Sequence, residues 1–247
     1  MIANSALIFD LLELALYIGS GYLAFSACVR YTPYPWLLVL AGRRLAVLAL
    51  LTLLVIGIKV FEDVIAKESG PIDMAVLWLI RQNTPPALLG FFSLVTWSGA
   101  AVFMVPATAL VCSLLMVARY RHEALLLAAS MASAWALTYT LKALVGRARP
   151  ELWSTTWYWG ASFPSGHTLS TATFATAMAL GATRIWPPSR NTAFALAALW
   201  TSLVGLSRLV LGVHWPTDVL AAICLGVFIP LAISMLLDVR QHRQPIS

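Results

Sequence analysis

Seven polar side chains lie at the ends of long apolar stretches, where ionisable groups are costly and usually face a cavity or a partner. In chain order they are Lys142, Arg147, Arg149, His167, Arg208, His214 and Asp218. Cations bind the oxygens of an anion, and histidines can serve as nucleophile and as acid. For any one of these residues alone, snorkelling to the lipid headgroups explains its position equally well. Because the set comes from three separate connections, a shared anion-binding site explains it better.

The first connection carries Lys142 and Arg149, which are seven residues apart. Seven residues make two helical turns, so these two cations share one face if the helix extends that far. On the same helical geometry the Arg147 side chain points to a different face of the helix, and Pro150 ends the segment. A guanidinium fork and an ammonium point charge together suit the oxygens of a phosphate group.

The second connection ends in Phe163-Pro164-Ser165-Gly166-His167, directly before an apolar stretch. A Ser-Gly turn ahead of a helix leaves free backbone N–H groups that can bind an anion, and glycine permits close approach of the backbone. His167 would then lie beside the bound anion. The alternative is an ordinary helix cap with a satisfied histidine.

The third connection contains Ser207, Arg208, His214, Pro216 and Asp218. Proline favours the first position of a helix, so the last helix is predicted to begin at Pro216, with Asp218 in its first turn. A carboxylate that holds one imidazole nitrogen of His214 leaves the other nitrogen as an oriented nucleophile or base. Arg208 adds a third cation to the candidate site.

Composition indicates that these residues are positioned by membrane helices. The chain has 247 residues, of which 60% are hydrophobic and 11% charged, and its mean hydropathy is +0.84. Soluble domains carry about a quarter charged residues. So few charges cannot cover a globule of this size, which excludes the soluble and disordered classes. We therefore predict an all-α integral membrane helical bundle.

Seven apolar stretches approach the roughly 20 residues that a helix needs to cross a bilayer. They cover residues 7–29, 45–61, 94–117, 124–145, 168–186, 192–213 and 217–239. The first stretch contains Asp10 and Glu13, which are awkward in lipid. It is therefore expected to begin later, to lie partly in the interface, or to bury these acids against neighbours.

Nine of the sixteen basic residues lie in connections on one side of the predicted bundle: Arg30, Arg43, Arg44, Arg119, Arg121, Arg184, Arg190, Arg240 and Arg243. The positive-inside rule makes that side cytoplasmic. The opposite side receives the candidate site and five tryptophans that are typical of an aromatic belt: Trp78, Trp153, Trp157, Trp159 and Trp215. Residues 73–82, on the same side, form an amphipathic segment that could lie flat at the interface. The net charge of +6 thus has its origin in topology and in the site, and it does not indicate nucleic acid as a partner.

The three segments together resemble the tripartite signature of the type 2 phosphatidic acid phosphatase family. The motifs are Lys142-x6-Arg149-Pro150, Pro164-Ser165-Gly166-His167 and Ser207-Arg208-x5-His214-x3-Asp218. They occur in order and without a departure at a defining position, and the resemblance covers roughly the second half of the chain. Members of this family have six core helices. The resemblance therefore implies a six-helix phosphatase core over residues 45–247, preceded by an additional membrane-associated helix and cytoplasmic loop over residues 1–44.

The resemblance also implies an activity, which is metal-independent hydrolysis of a phosphomonoester or diphosphate through a phosphohistidine. In that mechanism His214 attacks phosphorus, and Asp218 orients the His214 ring. His167 protonates the leaving oxygen and then activates water. The residues implied to bind the phosphoryl oxygens are Lys142, Arg149, Arg208, Ser165 and the backbone N–H of Gly166. No metal or other cofactor is expected, because Glu151 is the only other acid close to the motifs in sequence.

The expected partners are a lipid phosphate substrate and membrane lipids, since the site lies at headgroup depth. The brevity of the chain suggests an enzyme of the bacterial cytoplasmic membrane whose site faces the periplasmic side. Polyprenyl diphosphate and phosphatidylglycerol phosphate are favoured as substrates, and phosphatidic acid and lipid A phosphates remain open, as does the oligomeric state. The alternatives are a phosphotransferase of the same family and a transporter, although the inverted repeat of a transporter is not evident. Vanadate-dependent haloperoxidases resemble the same pocket but are soluble.

Overall fold

The protein is an all-helical bundle in the computed structural model, which describes residues 2–32, 34–153 and 160–243. Within those ranges it has no strand, and its ten α-helices are α1 (Ile2–Tyr31), α2 (Pro35–Ala41), α3 (Arg44–Ile65), α4 (Gly70–Asn83), α5 (Leu89–Trp97), α6 (Ala101–Val117), α7 (Arg121–Val145), α8 (Gly166–Ile185), α9 (Arg190–Val210) and α10 (Pro216–Arg243). Short 3-10 turns at Pro86–Leu88 and Pro187–Ser189 lead into α5 and α9. The predicted all-α membrane bundle is confirmed.

Within the part of the chain that the structure describes, five segments are long and apolar enough to cross a membrane: Asp10–Tyr31, Arg44–Ile65, Arg121–Val145, Pro187–Val210 and Pro216–Arg240. The α5–α6 pair counts as a sixth if it forms one bent span. The remaining predicted span, residues 168–186, corresponds to α8, which carries many Thr and Ser residues and does not reach the same hydropathy. Helix α8 packs against α7, α9 and α10, and twelve of its residues are buried. Because it lies among other helices and not against lipid, it tolerates this polar composition.

The predicted continuous span over residues 94–117 is divided between α5 and α6 in the structure. The segment bends by 43° between α5 and α6. At the bend, a Cβ on Gly99 would lie 2.9 Å from Val204 Cγ1 and 3.1 Å from the carbonyl oxygen of His167. The absence of a side chain therefore lets this bend approach the beginning of α8 and the middle of α9 closely. The bend also places Thr96, at the end of α5, against the site described below.

Helix α1 packs on α3 and α2 at the edge of the bundle. Helix α1 carries two acids that are unfavourable in lipid, Asp10 and Glu13. Both are exposed, and they line a cavity of about 400 Å³ together with Lys59 and Glu62 of α3. Tyr17 donates a hydrogen bond to Glu13, with 2.9 Å between the oxygens. The acids thus face polar neighbours on α3. The division of the chain at residue 44 stays a prediction.

The amphipathic segment predicted over residues 73–82 is part of α4. Its first turn differs from a surface helix, because Asp73 is fully buried. Trp78 packs against Trp153 with ring centroids 5.9 Å apart, on the side of the predicted aromatic belt. Trp157 and Trp159, which were assigned to the same belt, lie outside the described residues.

Candidate active site

The beginning of α8 forms one wall of the site. Ser165 is the N-cap residue, and its side chain makes no capping hydrogen bond, so it does not occupy the N–H groups of the first turn. Its hydroxyl lies 3.0 Å from Thr168 Oγ1, and its backbone N–H donates to the carbonyl oxygen of Asp218 at 3.2 Å. Gly166 is the first helical residue. As the sequence predicts, this turn directs backbone N–H groups and the positive end of the helix dipole towards the site.

The beginning of α10 forms the opposite wall. The helix starts at Pro216 as predicted, and Asp218 in its first turn is fully buried. Asp218 Oδ2 lies 3.3 Å from Nδ1 of His214 and accepts the backbone N–H of Trp215 at 3.0 Å. The carboxylate therefore fixes both the helix entry and the orientation of the imidazole ring.

The hydrogen bonds of His214 determine its tautomer. Arg149 Nη1 lies 3.2 Å from His214 Nε2. A guanidinium can only donate, so Nε2 must be the acceptor and carries a lone pair. The ring proton then lies on Nδ1 and is donated to Asp218. This is the form in which Nε2 can act as a nucleophile.

Burial keeps the His214 ring neutral. Its side chain is only 2% exposed. Loss of hydration lowers the pKa of His214 to about 3, the hydrogen bond from the ring to Asp218 opposes that shift, and the nearby Arg208 and Arg149 charges add to it. A neutral imidazole has the unprotonated nitrogen that a nucleophile requires.

Lys142 and Arg149 come together, although not for the predicted reason. Helix α7 ends at Val145, and Gly146 takes a left-handed conformation with φ of 59°, so Arg149 lies beyond the helix and the expected shared helical face is wrong. The ammonium of Lys142 nevertheless donates to the carbonyl oxygen of Ala161, and Arg149 Nη2 lies 3.4 Å from the same oxygen. The returning loop, and not the helix, brings the two cations to one place.

The remaining predicted residues complete the cluster. Arg208 of α9 is 1% exposed and donates to the hydroxyl of Thr96, at the end of α5. His167, in the first turn of α8, is half-buried. It lies within electrostatic range of four groups: Arg208, His214, Arg149 and Lys142. The structure thus gathers all eight predicted site residues at one end of the bundle.

Two residues make contacts at this site that the sequence did not predict. Arg147 was among the seven candidate residues but was expected to point away from the face of Lys142 and Arg149, and it reaches the Asp218 oxygen that His214 does not contact. Its Nη1 donates to Asp218 Oδ1 at 2.6 Å and to Thr217 Oγ1 at 2.8 Å. Its Nη2 donates to Asp73 Oδ2 at 2.5 Å and to Ser69 Oγ at 3.0 Å. One guanidinium therefore joins two buried carboxylates.

Asp73 is the second of these residues. Its Oδ1 accepts the backbone N–H of Thr217 at 2.9 Å, so it also binds the first turn of α10 directly. Glu151 is the only other acid close to the motifs in sequence, and Asp73 was not considered because it lies far from them along the chain. No spacing rule connects positions 74 residues apart. The available signals were an acid in the first turn of a short helix and a second arginine beside the first motif.

We call this arrangement the Asp73–Arg147–Asp218 chain. Both carboxylates are 0% exposed and the arginine side chain is 16% exposed. Among the described residues no group of three or more His, Cys, Asp and Glu side chains is arranged to hold a metal ion. The two acids of the chain instead share one cation, Arg147.

Comparison with known proteins agrees with this geometry. Residues 123–241 match the family model of the PAP2 superfamily, and all three motifs lie in that segment. Phosphatidylglycerophosphatase B of Bacillus subtilis is 27% identical over 179 residues, which are 71% of this chain and 86% of that protein. Undecaprenyl-diphosphatase of Sulfolobus acidocaldarius is 28% identical over 187 residues, which are 73% of this chain and 86% of that protein.

A solved structure has the same fold. It is the crystal structure of a transmembrane PAP2-type phosphatidylglycerolphosphate phosphatase from Bacillus subtilis, with a TM-score of 0.67 and 22% identity. The match covers 77% of this chain and 98% of that one. The bundle, the clustered site and these relatives define a membrane-embedded phosphoric ester hydrolase. Over residues 123–241 the chain is similar to the PAP2 superfamily.

Replacing Arg147 by Gln should leave two buried carboxylates without their shared cation. Breaking a buried ion pair costs about 3–5 kcal/mol of stability, and we expect kcat to fall at least about tenfold because Asp218 loses its fixed position. The double variant Asp73→Asn/Arg147→Gln should recover part of the stability, since one uncompensated charge is removed. Unfolding in detergent and turnover of a soluble phosphate ester measure both effects.

The matched control is Arg81→Gln, which removes a cation that lies 5.4 Å over the Trp153 ring on the same side. If Arg147→Gln behaves like Arg81→Gln, or if the double variant is less stable than the single one, the chain does not have this role.

The ionisation of His214 can be measured by ¹⁵N NMR of histidine-labelled protein, with its signal assigned by its loss in His214→Ala. Because its pKa is lowered, the ring gains its second proton only at a lower pH than free imidazole does. It should stay neutral, with the proton on Nδ1, from about pH 8 to about pH 5, whereas an ordinary histidine is half protonated near pH 6.5. The unfolded protein supplies that reference. A midpoint near 6.5 in the folded protein, or a proton on Nε2, would contradict the assignment.

Proposed function

We propose that this protein is a lipid phosphatase that hydrolyses a phosphomonoester or diphosphate at the membrane surface through a phosphohistidine on His214, without a metal ion. The observation that carries the proposal is the state of His214. Asp218 holds Nδ1, and Nε2 carries its lone pair towards Arg149, 3.2 Å away. A nucleophile and an anion-binding cation are thus adjacent.

In the first step Nε2 of His214 attacks phosphorus as the bond from phosphorus to the lipid oxygen breaks. The proton that the leaving oxygen needs comes from His167, which lies in the first turn of α8 beside the cation cluster. The ring of His214 becomes positively charged as the N–P bond forms. Asp218, paired through Nδ1–H, stabilises that charge.

In the second step water attacks the phosphohistidine from the side that the lipid has left. His167 now accepts a proton from the water, the N–P bond breaks, and inorganic phosphate is released. His214 returns to its neutral form with the lone pair on Nε2. His167 and His214 thus return to the protonation states with which the cycle began.

The charge that spreads over the phosphoryl oxygens during both steps is met by fixed donors. These are the side chains of Lys142, Arg149 and Arg208, the hydroxyl of Ser165 and the backbone N–H of Gly166. Carbonyl oxygens of Ala161 and Val213 hold two of the cations in position: Lys142 donates to the first, and Arg149 donates to the second at 2.8 Å. Little reorganisation is then needed when a phosphate group binds.

A lipid substrate is supported by an apolar cleft of about 240 Å³ between α3, α7 and α10. Its lining includes Leu54, Gly57, Leu141, Phe163 and Leu225. Leu141 precedes Lys142 on α7, and Phe163 begins the second motif, so the cleft is lined by segments that also carry the proposed phosphate-binding residues. A lipid could therefore leave its tail in the bilayer and present its phosphate to His214.

The substrate headgroup and the membrane are assigned from the relatives and the charge pattern. Relatives named as a phosphatidylglycerophosphatase and an undecaprenyl-diphosphatase support phosphatidylglycerol phosphate and polyprenyl diphosphate as favoured substrates. Phosphatidic acid and lipid A phosphates are the next candidates. The nine basic residues at the opposite end support a site on the periplasmic face of a bacterial cytoplasmic membrane.

Replacing His214 by Ala should abolish phosphate release from lipid phosphates, because no other group supplies the nucleophile. The assay offers purified protein a panel of the four lipid classes in the presence of EDTA and measures free phosphate. His122→Ala, at the other end of α7 from Lys142, is the matched histidine control and should retain activity. Activity in the His214 variant, or release that requires added metal, would contradict the mechanism.

Filling the apolar cleft should lower the activity on lipid substrates and leave the activity on soluble substrates unchanged. A Cβ on Gly57 would lie 3.7 Å from Cys224 Cβ, so Gly57→Ala fits and Gly57→Leu projects into the cleft. We expect Gly57→Leu to lower kcat/KM for long-chain lipid phosphates by about tenfold or more, from lost apolar contact. Gly57→Ala serves as control, and p-nitrophenyl phosphate should be hydrolysed equally by both variants. An equal loss on both substrates would show that the cleft does not bind the tail.

A further inference from the structure

We propose that the protein has a second lipid-binding site at the end of the bundle opposite the active site, where it holds the headgroup of an anionic glycerophospholipid. The site is a cavity of about 600 Å³, here called the inner cavity. It lies between the beginnings of α3 and α9, the end of α8 and the side of α10. Its rim carries four arginines: Arg43, Arg44, Arg184 and Arg190.

The charge of the rim is only partly neutralised. Asp238, with a side chain 9% exposed, pairs with Arg43 at 2.7 Å and with Arg184 at 2.9 Å. Arg184 also donates to the hydroxyl of Ser234 at 2.8 Å. Four positive charges against one negative charge leave an excess of three at the rim. An anion is the chemical class that such an excess favours.

Several donors of the rim are available to that anion. Within the described parts of the chain, the side chains of Arg44 and Arg190 make no hydrogen bond or ion pair, and both residues are exposed at the cavity. Nη1 of Arg184 is buried and has no hydrogen-bond partner among the described residues. A buried donor of this kind is costly unless something binds it. A phosphodiester group offers acceptor oxygens for guanidinium forks.

Backbone groups add to the attraction. Helix α3 begins at Arg44 and α9 begins at Arg190, and neither N-cap residue makes a side-chain capping hydrogen bond. Two helix N-termini without a side-chain cap therefore lie at the rim, and each carries a partial positive charge. The end of α8 lies at the same cavity with the opposite polarity, and Arg184 in its last turn offsets it.

The floor of the cavity identifies the anion as a lipid. Below the arginines the lining is apolar and comprises Ala46, Ala49, Leu180, Phe194 and Leu231. A free phosphate ion would contact only the rim, whereas a phospholipid places its phosphate at the rim and its acyl chains along the floor. Basic pockets between membrane helices on the cytoplasmic side bind anionic headgroups in this way.

Orientation alone does not explain this arrangement. Arg119 and Arg121, in the turn between α6 and α7, are assigned to the same cytoplasmic side, and neither lines the cavity. They suffice as topology signals. They also supply a matched control, because their removal lowers the charge of that side by the same amount as removal of Arg44 and Arg190.

The experiment titrates the purified protein in neutral detergent with dioctanoyl phosphatidylglycerol and follows thermal unfolding. We expect a saturable rise in Tm. Arg44→Gln/Arg190→Gln should weaken the apparent Kd by about tenfold, and Arg119→Gln/Arg121→Gln by less than about twofold. Dioctanoyl phosphatidylcholine and inorganic phosphate, each at the same concentration, should give no comparable rise. Phosphate release in phosphatidylcholine should be the same for both double variants, which shows that each is folded. Any phosphatidylglycerol that binds at the active site contributes equally to the Tm rise of both variants.

Three results would overturn the proposal. Equal weakening by the two pairs would mean general attraction to a basic surface. A rise with inorganic phosphate as large as that with phosphatidylglycerol would mean a site for the free ion. A response that does not saturate, or that phosphatidylcholine reproduces, would mean that no anionic headgroup is bound.

Discussion

The pairing of one guanidinium with two buried carboxylates is the interaction on which the site depends. Arg147 joins Asp218, which orients the His214 ring, to Asp73, which holds the first turn of α10. Two carboxylates this deeply buried could not both stay ionised without a shared cation. Through this contact α4, the end of α7 and the beginning of α10 are fixed relative to one another. The direction of His214 Nε2 follows from that fixed frame.

The scarcity of charge in this chain makes each buried charge informative. In a bundle that is 60% hydrophobic, ionised groups at helix ends survive where they are paired or bind a ligand. At one end Asp218 is paired and three cations converge on His214. At the other end Asp238 pairs with Arg43 and Arg184, and further arginines remain at the rim. The same rule thus accounts for an active site at one end and leads to a lipid site at the other.

Local chemistry was readable from the sequence, and long-range contact was not. The histidine, the aspartate four residues later and the proline before it predict the beginning of α10 because capping and helix spacing are local rules. The Ser-Gly turn at α8 is equally local. The contact between Asp73 and Arg147 was not predicted, because nothing in a single sequence links residues 74 positions apart. The bend at Gly99 was also missed, since tertiary packing decides it, whereas the end of α7 at Val145 agrees with the predicted stretch 124–145.

In the proposed mechanism Nε2 of His214 becomes bonded to phosphorus. Locating the phosphoryl group on the protein tests whether this bond forms. The protein would be mixed with a lipid phosphate, quenched in alkali within the first turnover, and digested. Mass spectrometry then locates the phosphopeptide, and ³¹P NMR distinguishes the two ring nitrogens. We expect one phosphohistidine at residue 214 with phosphorus on Nε2. Phosphorus on Nδ1, on His167 or on no histidine at all would contradict it.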